Sequence, residues 1–299
     1  MQELRNVGFV GFGAMAQRMA ARLRDAGHTV SAFDPAEHGE EAHGFKLVQS
    51  AAALARNAGA VIVSVPADAA LHEATEGAGG VLEGARKGLL LINTSTVSPG
   101  ASVQLAKAAA IHGIRFVEAP VSGSTPEAES GKLVVLAGGS EDDVAHAAPI
   151  LDVMARKTVH AGPAGLGTVL KLVINGVMAL GTAALAEGLA YGVQAGLDRD
   201  TLIDTLKDLI LVSEHHRRKL EMTQRGDYPS QFPTRLLSKD MGLLLSDAGR
   251  RGVPMASMAA ASQLFALATR EHGDEDYAAA ISTMEALVRT AAASPHSPL

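Results

Sequence analysis

Lys171 and Asn175 stand four residues apart in a mostly apolar stretch running from Leu166 to about Gln194, just after Gly165 and Gly167. On a helix that spacing puts both side chains on one face. Burial disfavours an ammonium and draws a lysine's pKa towards neutrality. So placed, Lys171 can protonate a carbonyl oxygen as hydride reaches the carbon, or deprotonate an alcohol in the reverse direction. Asn175 can orient the lysine or hydrogen-bond a substrate. The alternative open at this point is a lysine that snorkels its ammonium to the helix surface.

A hydride needs a carrier, and the N-terminal residues supply a place for one. Val7-Gly8-Phe9-Val10-Gly11-Phe12-Gly13-Ala14-Met15-Ala16 reads as an apolar strand feeding a Gly-x-Gly-x-x-Ala turn, with a helix over Gln17–Ala26. Gly11 permits the tight turn, Gly13 lets the backbone approach phosphates, and Ala16 allows close helix–strand packing. Backbone N–H groups at such a helix start, around Ala14 and Met15, cradle a pyrophosphate. The strand Thr29–Phe33 ends in Asp34, about twenty residues beyond the glycines, where an acid is expected to hold the adenosine ribose. A carboxylate there accepts from both ribose hydroxyls of NAD and repels the 2′-phosphate of NADP. Pro35, Ala36 and Glu37 add no base. NAD is therefore the expected cofactor, with NADP as the possible substitute. The competing reading makes Asp34 a strand-end turn former.

Two further groups are candidates. Ala119-Pro120-Val121-Ser122-Gly123-Ser124 exposes hydroxyls and backbone N–H groups in a loop after a strand, a concave arrangement suited to a carboxylate; a plain Pro/Gly turn is the alternative. Phe232, Lys239 and Asp240 form the other group, in which Lys239-Asp240 alone reads as a solvated charge pair. His215-His216-Arg217-Arg218 reads as a polar helix face rather than a metal site.

Elements that position these residues follow from the pattern. Val61–Val65, Leu89–Asn93, Arg115–Ala119 and Lys132–Ala137 read as short strands, and Ala101–His112 as a helix between two of them. Strands alternating with helices indicate a doubly wound, mostly parallel sheet. Ligands then bind beyond the carboxyl ends of the strands, at the loops starting with Pro66, Asn93 and Ala119. Beyond the Gly162-Pro163-Ala164-Gly165 breakers the long apolar helix begins, and helical patterns continue over Asp200–Leu211, Leu237–Arg250, Met255–Glu271 and Tyr277–Ala291. The expected architecture is an α/β Rossmann domain over 1–163 and a long interdomain helix with an all-helical domain over 164–299.

Composition narrows the function classes. The 299 residues carry a formal net charge of −6, 47% hydrophobic and 19% charged residues, and no cysteine. Disulfides, thiolate nucleophiles and Cys-ligated metals are excluded. Nothing recommends a nucleic-acid partner. Lys171 and Glu187 leave fewer uncharged residues between them than the roughly 20 a bilayer span needs, so no membrane is expected. The first apolar run is the nucleotide-binding strand, with no basic segment and signal-like stretch before it, and the location reads as cytoplasmic. The tail Ser294–Leu299 reads as mobile.

Taken in order, these motifs resemble the β-hydroxyacid dehydrogenase (3-hydroxyisobutyrate dehydrogenase-like) family over nearly the whole chain. The likeness runs from Gly8–Ala16 through Ser95-Thr96-Val97-Ser98-Pro99, Glu118–Gly123 with Gly131 and Leu133, Gly165–Lys171 with Asn175, Lys239-Asp240 and Gly273–Ala279. The resemblance implies Lys171 as general acid/base and Asn175 as its neighbour at the substrate. It implies that Ser122 and Gly123, followed here by Ser124, bind a carboxylate, and that Val65, Pro66 and Thr96 line the cofactor site. Lys239 and Phe232 would lie towards the nicotinamide end. It also implies a homodimer or homotetramer acting on a small carboxylate-bearing aldehyde or hydroxyacid.

Two departures, Ser124 for a second glycine and Ile174 before Asn175, resemble the glyoxylate/succinic semialdehyde reductase branch, which tends to use NADPH. Asp34 pulls the other way, towards NAD. Imine reductases are similar in architecture but usually lack a lysine at position 171, which speaks against imine reduction as the main activity. A non-catalytic dinucleotide-binding protein is the remaining alternative.

Overall fold

The computed structural model describes residues 4–293, with side chains to residue 289; the tail at 294–299 lies outside them. In chain order the elements are β1 (Asn6–Val10), α1 (Ala14–Asp25), β2 (Thr29–Phe33), β3 (Glu41–Ala42), β4 (Phe45–Leu47), α2 (Ala51–Asn57), β5 (Ala60–Val63), α3 (Asp68–Glu76), α4 (Val81–Gly84), β6 (Leu90–Asn93), α5 (Pro99–Ile111), β7 (Arg115–Glu118), β8 (Val121–Ser122), α6 (Thr125–Glu129), β9 (Leu133–Gly138), α7 (Glu141–Met154) and β10 (Ala155–Gly162). Then come α8 (Leu166–Gln194), α9 (Arg199–Asp208), α10 (Glu214–Arg225), α11 (Thr234–Arg250), α12 (Ala256–His272) and α13 (Ala279–Ala293). The chain divides into two compact units, Met1–Leu172 and Val173–Leu299.

In the first unit the strands lie in the order β10-β9-β7-β6-β5-β1-β2-β4-β3, with β8 pairing β9. The central pairs β2/β1, β1/β5, β5/β6 and β6/β7 are parallel. Antiparallel pairing is confined to β3/β4, β7/β9 and β8/β9. Chain order reverses at β1, between β2 and β5, and there the crevice for a ligand opens.

Alternation along the strands divides the apolar residues between two faces. Phe9, Ile62 and Ile92 join Met19 and Leu23 of α1 and Ile150 and Leu151 of α7. Val61, Val63 and Leu91 point the other way, to Leu54 of α2, Leu71 of α3 and Leu105 of α5. Both faces are covered, as a parallel sheet requires.

Several boundaries differ from the pattern, for local reasons. Helix α1 starts at Ala14 rather than Gln17, because the extended Gly13 acts as N-cap and accepts from Gln17 N at 3.0 Å. Helix α5 starts at Pro99 rather than Ala101: the Ser98 hydroxyl accepts from Ala101 N at 3.1 Å, and proline suits the first turn. Strand β10 gave no readable alternation. Its Arg156, Lys157 and His160 are exposed, and it pairs with β9 alone.

The second unit is helical among the described residues, apart from one isolated bridge between Pro233 and Asp276. By length and composition α8 could cross a membrane. Its Ala179, Ala183, Ala186 and Leu189 stripe, however, packs with Ile203, Leu220, Met241, Phe265 and Ile281 in the core of this unit.

That core holds a buried ion pair. Lys219 Nζ lies 2.9 and 3.0 Å from the two oxygens of Asp276, with side-chain exposures of 3% and 0%. Asp276 also accepts from the N–H groups of Gln231, Phe232 and Ala278 at 3.3, 3.1 and 3.0 Å. Lys219 sits 4.6 Å from the Tyr277 ring centre, and burial, with the Asp276 charge second, pushes the Tyr277 phenol up. His215 meets the Tyr277 hydroxyl, and His216 Nε2 lies 3.1 Å from the Met178 carbonyl oxygen. The two half-buried histidines therefore anchor α10 through these contacts.

Candidate functional site

The turn after β1 has the form a dinucleotide requires. Gly11 has φ +83°, donates its N–H to Phe33 O at 2.9 Å, and a Cβ there would stand 2.2 Å from the Ser64 carbonyl oxygen. Only glycine meets both conditions. Gly13 is different: a Cβ on it would meet nothing within 4 Å. Its bareness leaves open space over the start of α1, whose first turn has no acidic residue and no side-chain cap. The N–H groups there need an outside acceptor, and a pyrophosphate fits that need. Ala16 is fully buried beneath the turn.

Gly11→Ala is expected to destabilise the turn by about 1–3 kcal/mol and to abolish measurable NADH binding. Fluorescence titration together with thermal melting checks both.

Asp34 joins this turn directly. Its Oδ2 accepts from Phe12 N at 2.7 Å and its Oδ1 from Ala36 N at 2.9 Å. These two bonds are those of a strand-end turn former. Asp34 shapes the strand end, and each oxygen keeps a lone pair for a further donor.

The next two strand ends are tied together by Ser95, the first residue of the Ser95–Pro99 motif. Its Oγ accepts from Val65 N at 2.9 Å, and its N–H donates to Asn93 Oδ1 at 3.1 Å. Val65 and Thr96 are half-buried, and Pro66 is exposed. Asn93 is fully buried, and its Nδ2 has no protein partner among the described residues. An orphaned donor at the carboxyl end of a central strand is consistent with a ligand arriving there.

In the Ser122–Ser124 loop, Gly123 has φ +124°. The Ser124 hydroxyl and N–H both donate to Glu127 Oε2, at 2.7 and 2.8 Å. Ser124 therefore fastens the loop to the start of α6, while Ser122 is half-buried and Gly123 exposed.

Lys171 is buried, at 9% exposure, on the second turn of α8. Asn175 follows one turn on as part of the second unit, at 2%. Asn175 Nδ2 donates to Asp240 Oδ2 at 2.6 Å, and Lys239 Nζ lies 3.0 Å from Asp240 Oδ1. Asp240 is 2% exposed. Lys239-Asp240 is thus no solvated pair: its carboxylate is buried and holds the carboxamide of Asn175. Sequence spacing could not show this, because 65 residues separate the partners. Phe232 is half-buried, with its ring edge-on to Tyr277 at 5.9 Å.

Comparison with known proteins bears on the family and the fold. The family described as the NAD binding domain of 6-phosphogluconate dehydrogenase matches residues 6–162. The one described as NAD-binding of NADP-dependent 3-hydroxyisobutyrate dehydrogenase matches residues 165–284. The chain is 34% identical to a 2-(hydroxymethyl)glutarate dehydrogenase of Eubacterium barkeri over 270 residues, 89% of each chain. It is 31% identical to glyoxylate/succinic semialdehyde reductase 1 of Arabidopsis thaliana, over 93% of this chain and 98% of that one. Among solved structures, the Mycobacterium tuberculosis 3-hydroxyisobutyrate dehydrogenase with L-serine superposes with a TM-score of 0.84 at 30% identity, covering 94% of this chain and 99% of that one. With its Rossmann turn, mostly parallel sheet and helical second unit, the chain belongs to the β-hydroxyacid dehydrogenase family of NAD(P)-dependent oxidoreductases.

Proposed function

We propose that the chain interconverts a small β-hydroxyacid and its semialdehyde or keto acid, with NAD preferred over NADP. The observation that carries this reading is the buried Lys171, with Asn175 one turn along the same helix. A lysine ammonium in a dry setting is a proton donor of moderate strength.

NAD(H), when bound at the Gly11–Met15 turn, supplies or takes the hydride. Lys171 Nζ holds the proton that the substrate's carbonyl oxygen receives on reduction and takes it back on oxidation. Asn175, held by Asp240, has one carboxamide N–H committed; its oxygen and remaining N–H can orient the lysine or the substrate. The hydroxyl of Ser122 and the backbone N–H of Gly123 bind the substrate carboxylate, and Ser124 keeps that loop in place through Glu127. Val65, Pro66 and Thr96 line the cofactor's path; for Lys239 and Phe232 it is the family resemblance that supports a role towards the nicotinamide end. The exposed apolar residues Val173, Val177 and Tyr191 of α8, with Ile210 and Leu211, support a homo-oligomer.

The first experiment follows loss of reduced-nicotinamide absorbance with NADH and NADPH separately. The substrates are glyoxylate, succinic semialdehyde, methylmalonate semialdehyde, tartronate semialdehyde and a cyclic imine. Turnover of a carboxylated aldehyde is the expected result; reduction of the imine alone would overturn the reading. NADH should be favoured, and Asp34→Asn should raise the KM for NADH by about 10–100-fold, the worth of hydrogen bonds to a charged group. A wild-type preference for NADPH would remove Asp34 from the specificity argument and leave the reaction intact.

A further inference from the structure

Glu118 ends β7 as a fully buried carboxylate. Taking such a charge out of water costs several kcal/mol unless its oxygens are satisfied. Here they are satisfied by neutral groups. Oε1 accepts from Gly167 N at 2.6 Å and from Thr168 N at 3.4 Å. Oε2 accepts from Thr168 Oγ1 at 3.0 Å and from the Ser102 hydroxyl. No ion pair to Glu118 occurs among the described residues. The positive end of the 29-residue α8 supplies the compensating field.

The chain makes room for this side chain. A Cβ on Gly138, the residue paired with Glu118 across β7/β9, would stand 2.1 Å from Glu118 Oε1. A Cβ on Gly167 would stand 2.3 Å from the Leu136 carbonyl oxygen. The first turn of α8 is therefore seated on the backbone of β9, with the carboxylate locked between them.

Two connections leave Glu118. Its side chain holds Gly167 and Thr168, which lie one turn before Lys171 on the same face of α8. Its backbone runs on through Ala119-Pro120-Val121 into Ser122-Gly123. We infer that Glu118 is a positioning residue, one that fixes the first turn of α8 to the strand end feeding the Ser122–Gly123 loop and so sets Lys171 against the substrate carboxylate. This inference rests on the roles proposed above for Lys171, Ser122 and Gly123. Any displacement of the first helical turn moves the lysine without touching cofactor or substrate, and a misplacement of about 1 Å can cost about 100-fold in rate.

The test is Glu118→Gln in the full chain. The amide keeps the volume and one acceptor for Gly167 N, but removes the charge and turns an N–H2 group towards the hydroxyls. The expected result is an unchanged NADH dissociation constant with kcat for a carboxylated aldehyde lowered about tenfold or more. The loss should fall on kcat and leave NADH affinity untouched, a split that a merely structural role would not produce. A purely structural residue would lower the melting temperature and leave kcat alone; that outcome overturns the inference.

Thr168→Val, which keeps the backbone bonds and loses only the hydroxyl, decides the matter if the glutamine variant does not fold. Lowered kcat at unchanged NADH affinity supports the inference, and wild-type kcat overturns it. Lys171→Ala run in parallel separates the two failures. If it is inactive while both variants here are normal, the positioning role alone falls. If it is active, the reading of Lys171 falls first.

Discussion

Lys171→Ala is expected to lower kcat by about 10²–10⁴-fold, equivalent to about 3–5 kcal/mol of barrier, while NADH still binds. The residues proposed to grip the cofactor, Gly11, Gly13 and Asp34, hydrogen-bond and pack within the turn between β1 and α1 and the end of β2. Lys171 contributes to none of those contacts. Lys171→Arg sharpens the result: it keeps a positive charge, but a guanidinium does not give up its proton in the neutral range. If Lys171 acted only as a charge, the arginine variant would retain much of the rate. If it transfers the proton, both variants are equally poor. An alanine variant within a few-fold of wild type would refute proton transfer by this residue.

Asp276→Ala is expected to destabilise the second unit by about 3–5 kcal/mol, because it leaves the Lys219 ammonium buried without its carboxylate. Three backbone N–H groups, from Gln231, Phe232 and Ala278, lose their acceptor at the same time. A fall in melting temperature on the order of 10 °C corresponds to that loss. Adding Lys219→Met to the same chain removes the stranded charge, so the double variant should be more stable than the Asp276→Ala single. A single variant that melts with the wild type would show that the pair contributes nothing net.

Local features of this fold were legible in the sequence because their causes are local. The turn at Gly11–Ala16 is a matter of backbone sterics and a strand–helix junction within one short segment. The bounds of α8, Leu166 to Gln194, follow from the breakers at Gly162–Gly165 and from apolar composition. Strand ends moved by a residue or two, and α1 and α5 began earlier than their apolar residues suggested, because Gly13 and Ser98 cap them.

What stayed hidden were pairings over long sequence distance. Glu118 reads as a strand residue that opens the Glu118–Gly123 motif and has no role of its own, since nothing near it in sequence shows that Gly167 and Thr168, 49 and 50 positions on, will bond it. Asp240 read as half of a solvated pair, since its burial depends on the packing of a whole helical unit. His215 and His216 gave the same signal as any exposed polar helix face. A buried polar group is chosen by the partner the fold brings to it, and spacing along the chain carries no record of that partner.

The two free edges of the sheet have a consequence for how copies of this chain meet. At one edge β10 pairs with β9 through two register irregularities, between Ala155 and Lys157 and between His160 and Gly162, and it faces outward with Arg156, Lys157 and His160. At the other edge β3 is two residues long and presents Glu41. Bulges, basic side chains and brevity are the devices that stop strands from recruiting strands. Edge-to-edge growth into extended sheets finds no template at either end, so crowding of this protein is steered away from fibrous aggregation.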